Sequence, residues 1–149
     1  MNGKIVRMGL LALVSLFFVV LCSLPARADL PSKSIEGGIT VQFKSIIQES
    51  TRLYVTYVVV SQNDTKIEIK PDGYSPIFDS AGNKMAYGAS GPWIGDTAGN
   101  SREIIAGVPT KVMLRYDVNS DYKITKTYPK VVLTINNKTI EFRNVPGSQ

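Results

Sequence analysis

The residues of this chain that could do chemistry are side-chain oxygens and aromatic rings. Asp72, Asp79, Asn83, Asp96 and Asn100 supply the hard donors that calcium gathers six to eight at a time. They lack a dense D-x-D-x-D run, and Asp and Asn are ordinary turn formers, so no metal site is expected. A glycosidase would need two carboxyl groups facing across a cleft. Glu68 and Glu141 instead fall beside Lys66, Lys70 and Arg143 on faces that alternation makes wet, where cross-strand pairing is the ordinary role. The chain has no histidine, and its one cysteine is Cys22. His-ligated zinc and a Ser-His-Asp base are therefore excluded, and neither a catalytic residue nor a cofactor is expected.

What remains is binding. Residues 87–100, YGASGPWIGDTAGN, hold the only tryptophan, Trp93. Trp is enriched at binding hot spots and loops carry function, so Trp93, Ile94 and Asp96 are candidate partner contacts. The expected arrangement is a shielded Trp93 pinned over one end of a small core, with the surrounding glycine-rich loop meeting the partner. Gly88, Gly91, Gly95 and Gly99 are too irregular for a phosphate-cradling loop. A second stretch, DYKITKTYPK, sets Tyr122 and Tyr128 around Lys123 and Lys126. It reads first as a long connection between strands. As a contact surface, its rings and cations would suit a protein or polysaccharide rather than a small molecule.

The N-terminus addresses the chain to export. Lys4 and Arg7 precede an apolar run over residues 8–21, and Pro25-Ala26-Arg27-Ala28 has the small-x-small pattern of a signal peptidase site. Residues 1–28 read as a signal peptide cleaved after Ala28. The run is shorter than the ~20 residues that cross a bilayer, so no stable membrane anchor is expected. Cys22 lies within the leader, and Leu21 before it is larger than a lipid-anchor site prefers. Removing Lys4, Arg7 and Arg27 leaves 14 basic residues against 12 acidic ones, a net of +2. These charges are interspersed rather than clustered, which argues against nucleic acid as a partner. The expected location is the periplasm or the exterior.

Period-two alternation dominates from Ile39 onward, the mark of strands with one face buried. Ile39, Val41 and Phe43 alternate with polar residues until the pattern slips at Ser45-Ile46-Ile47, which predicts a bulge or strand switch. RLYVTYVVVS, residues 52–61, predicts a central strand. Val112, Leu114 and Tyr116 face inward, and Val131, Leu133 and Ile135 return through Asn136-Asn137 to Ile140 and Phe142. The expected core is Val41, Phe43, Leu53, Val55, Tyr57, Val59, Leu114, Tyr116, Leu133 and Phe142. About seven to nine short strands with frequent turn signals predict one antiparallel, all-β, immunoglobulin-like sandwich over residues 39–146. Residues 29–38 read as a flexible lead-in and 147–149 as a tail.

Four segments in this order carry a resemblance: Leu53-x-Val55-x-Tyr57-x-Val59, Asp79-x-x-Gly82-Asn83-x-x-x-Tyr87, Ala106-Gly107-Val108-Pro109-x-Lys111 and Ile140-x-Phe142-Arg143-Asn144-Val145-Pro146. Together they resemble the small immunoglobulin-like domains of bacterial exported proteins and lipoproteins. The resemblance implies a non-enzymatic interaction module of the cell envelope, an accessory or adaptor that binds another envelope protein by loops or a strand edge. It carries over no catalytic residue. The alternative is a periplasmic inhibitor or immunity protein that blocks a toxin or hydrolase with an exposed loop.

Overall fold

The computed structural model describes residues 30–70, 74–85 and 91–148. Residues 1–29, with Cys22 among them, and Asp72, Tyr87, Gly88 and Gln149 lie outside them. Among the described residues there is no helix, and the strands in order are β1 (Ser32–Ile35), β2 (Ile39–Glu49), β3 (Arg52–Ser61), β4 (Thr65–Glu68), β5 (Ile77–Phe78), β6 (Lys84–Met85), β7 (Trp93–Ile94), β8 (Thr97–Ala98), β9 (Ser101–Ile104), β10 (Thr110–Asp117), β11 (Thr127–Ile135) and β12 (Lys138–Pro146). They form a six-stranded sheet in the order β1-β2-β3-β10-β7-β8, a four-stranded sheet β12-β11-β5-β6 and the pair β4-β9. All of these pairings are antiparallel.

The two larger sheets meet in one core. Phe43 and Tyr57 from the first pack on Phe142 of the second with ring centroids 6.1 and 5.9 Å away. All ten core positions read from alternation are buried. On β3 the alternation is strict, Leu53, Val55, Tyr57 and Val59 going inward while Tyr54, Thr56 and Val58 go outward. The slip in β2 is a bulge. Phe43 pairs with Tyr57 and Ser45 with Thr56, so Lys44 is the extra residue. That one-residue insertion shifts the face of everything after it, which buries Ile46 and leaves Ile47 44% exposed.

Two terminal readings are corrected. The supposed lead-in contains β1, an edge strand running from Ser32↔Gln42 to Ile35↔Ile39 against β2. Its SKSI sequence has little apolar alternation because an exposed edge buries almost nothing. Glycine makes the return possible, with Gly37 and Gly38 at φ 86° and 72°. The supposed tail is a strap: Gly147 N donates to Lys126 O at 3.0 Å and Ser148 N to Ile46 O at 2.9 Å. A Cβ on Gly147 would run into the Thr125 carbonyl oxygen, so only glycine lets the strap lie this close.

Two turns behave as their residues require. Asn136 and Asn137 take φ 48° and 60° between β11 and β12, the paired left-handed conformation of a two-residue hairpin. Asp79 organises the turn between β5 and β6, its Oδ1 accepting from the Ala81 and Asn83 amides at 2.9 and 2.8 Å and its Oδ2 from Asn83 Nδ2 at 2.9 Å. Ser75 ties the sheets together: its Oγ accepts from Thr134 N at 2.9 Å, and its carbonyl accepts from Tyr116 Oη at 2.6 Å.

Candidate docking surface

Trp93 stands on a strand and lies half-buried on the outer face of the sheet, so the expectation that it is pinned over one end of the core is corrected. β7 pairs with β8 through a tight turn and with β10 on its other side, placing Trp93 opposite both Ala98 and Met113. Alternation then decides the faces: Ile94 is core at 1% exposure, while Trp93 is half-buried on the outer face. Ile94 is thereby corrected from contact residue to core residue, and Asp96 is exposed in the turn. Arg102 clamps this hairpin from β9, its Nη1 donating to Ile94 O at 2.7 Å and to Thr97 Oγ1 at 3.3 Å. Gly95 sits at φ 63° with its amide on Lys111 O at 2.7 Å, and a Cβ there would come within 2.6 Å of that Nη1. Trp93 is therefore displayed on a rigid hairpin.

The outer face beside it continues through Met113, Tyr54 and Ile47, with Arg52, Lys111 and Arg115 among them. Arg115 Nε lies 3.4 Å from Asp117 Oδ1 as an ion pair, and among the described residues that buried nitrogen makes no hydrogen bond.

The Tyr and Lys stretch divides. Tyr128 belongs to β11 and is fully buried, so it is corrected from contact residue to core residue. Tyr122 is half-buried against the core, its hydroxyl 3.2 Å from that of Tyr128 and its carbonyl accepting from Gln48 Nε2 at 2.8 Å. Burial, followed by the hydrogen bond with Tyr128, pushes the Tyr122 phenol well above its ordinary range. Lys123 and Lys126 are both exposed, and Lys123 lines a groove with Ile47, Ile124 and Ser148. Tyr122 lines that groove beside Lys123, whereas Tyr128 is withdrawn into the core.

A surface that sequence reasoning missed lies at the opposite end, where β9 turns into β10. Ile105 is 65% and Val108 47% exposed. Their backbone is pinned: Val108 N donates to Ile105 O at 3.1 Å, Gly107 N to Ser61 O at 2.8 Å and Ala106 N to Asp64 Oδ1 at 2.8 Å. Gly107 at φ 72° makes the bend. The available signal was two branched aliphatics flanking Ala-Gly, where a turn ordinarily carries polar residues.

Two of the described loop oxygens are already engaged. Asp79 and Asn83 are consumed by their own turn, and among the described residues there is no cluster of three or more acidic, His or Cys side chains fit for a metal. Glu141 is held between Lys130 at 2.6 Å and Arg143 at 3.2 Å. The Lys130 hydrogen bond, foremost, draws its carboxyl below the ordinary 4.5. A lowered folded-state value means this pair contributes above the unfolded value and is lost as pH falls through the folded one. Thermal melts of Glu141→Gln between pH 7 and pH 3 should therefore show a slightly shallower acid decline than wild type; an identical decline would remove the pair from the balance. The effect is small because the pair is exposed.

Compared with protein-family models, curated proteins and solved structures, the chain matches none.

Proposed function

We propose that this protein is a non-enzymatic binding module of the cell envelope, exported by its basic and apolar leader and built as an immunoglobulin-like sandwich, which docks another protein through turn 105–108. The observation that carries this reading is the exposure of Ile105 and Val108 on a backbone held by three hydrogen bonds. Two apolar side chains in water gain from burial against a partner. A turn already fixed by Ser61 and Asp64 loses little further entropy on binding. Recognition by loops at one end of a sandwich is a recurring use of such scaffolds.

The same turn has the rigidity an inhibitor needs to enter a cleft, and the identity of the captured protein separates the two roles. Photo-crosslinking from position 106 in intact cells should trap one envelope protein. Ile105→Ser with Val108→Ser should abolish that product while the melting temperature holds within a few degrees, since both side chains are exposed. An unchanged crosslink in the double variant would sink this docking site. A captured hydrolase or toxin that the protein silences would identify an inhibitor; a captured assembly component would identify an adaptor.

A further inference from the structure

The outer face around Trp93 has chemistry of its own, distinct from turn 105–108. Register sets Trp93 opposite Met113, Met113 opposite Thr56, and Arg115 opposite Tyr54, which faces Ile47 on β2. Tyr54 thus stands two strands over from Trp93 and two residues further along β3 than its register partner Thr56, roughly 12 Å away, with the Met113 thioether and the Arg115 guanidinium on the strand between them. They line one shallow groove of about 540 Å³, whose lining holds Arg52, Lys111 and Arg115 against the carboxylate of Glu49; Arg115 is also paired with Asp117 at 3.4 Å, so the cations exceed the carboxylates by one.

We propose that this groove binds an acidic polysaccharide, a chain of sugars bearing carboxylates. The excess of cations in the lining selects an anion. Lys111 and Arg115 are four residues apart on β10, roughly 13 Å along the strand, so one carboxylate cannot serve both and repeated charges can. Aromatic faces on a rigid sheet select the ligand backbone. A pyranose presents a flat C–H face that covers a Trp or Tyr ring, whereas an acidic peptide carries its charges on flexible stems and leaves the rings uncovered. The hairpin backbone that carries Trp93 is held by the Arg102 bond to Ile94 O, so the backbone loses little further order on binding.

Trp93 is the only tryptophan, so its emission reports this groove alone. Titrating the purified protein with oligogalacturonate should give a saturable change in Trp93 emission. Raising salt from low to physiological strength should weaken it about tenfold, as expected when several exposed charges are screened. Lys111→Ala and Tyr54→Ala should each weaken binding by about tenfold, a loss typical of a central contact, with circular dichroism unchanged. The fully methyl-esterified oligomer should bind far more weakly. The Ile105→Ser, Val108→Ser variant should bind the sugar normally, which separates this site from the protein-docking turn. No emission change at millimolar oligogalacturonate would overturn the proposal. So would an equal response to polyglutamate, which would assign the groove to acidic peptides, or to the neutral ester.

Discussion

Leu114→Ala should destabilise the protein by about 2 to 5 kcal/mol, the range for emptying a fully buried leucine site. Leu114 has no exposed surface and lies on β10 opposite Val55, in the middle of the six-stranded sheet. Flanked by β3 and facing the second sheet, the site has little room to collapse, so the cavity persists and the cost falls toward the upper end. Lys111→Ala, three residues earlier on the outer face and exposed, should change stability by less than about 0.5 kcal/mol. Urea unfolding of both variants tests the face assignment. Equal losses, or a larger loss at Lys111, would mean that β10 presents its other face to the core.

Two tyrosines on the same inner face should respond to the same substitution with opposite signs. Tyr57 and Tyr116 are both fully buried. The Tyr116 hydroxyl donates to Ser75 O at 2.6 Å, and Tyr116→Phe leaves that carbonyl without its donor, at a cost of about 1 to 2 kcal/mol. Among the described residues the Tyr57 hydroxyl has no partner, and burial pushes its pKa far upward. An unpaired buried hydroxyl is a desolvation cost without return, so Tyr57→Phe should raise stability by about 1 to 2 kcal/mol while the ring keeps its contacts with Phe43 and Phe142. Chemical unfolding of both variants decides the matter. A loss at Tyr57→Phe would show that its hydroxyl is satisfied in solution.

These two residues also mark how far the sequence could be read. Alternation put both inward, because a strand side chain has only two directions and the apolar positions choose between them. Nothing in that alternation distinguishes a hydroxyl that meets a carbonyl from one that meets none. Ser75 reaches Tyr116 from 41 positions away, and such a meeting depends on how two sheets are laid together. Trp93 shows the same limit. Its glycine-rich surroundings read as a partner-contacting loop around a tryptophan pinned over one end of the core, but Arg102 and β10 make the segment a fixed hairpin with Trp93 half-buried on the outer face. Ile94 and Tyr128 were candidates by composition and became core by parity.

The sequence by itself determined the all-β class, the buried faces of the long strands and the primed turn at Asn136-Asn137, because each follows from a local period or a single residue's allowed φ. It also excluded histidine chemistry by composition alone. Tertiary structure decided the rest. β1 is a strand only because β2 offers it an edge, and the C-terminal strap lies where it does only because glycine at position 147 lets it approach residue 125. The groove gathers residues from β2, β3, β7 and β10, whose order in the sheet is not their order in the chain. A local pattern specifies which way a side chain points; which neighbours it meets is set by long-range pairing, to which periodicity along one strand is blind.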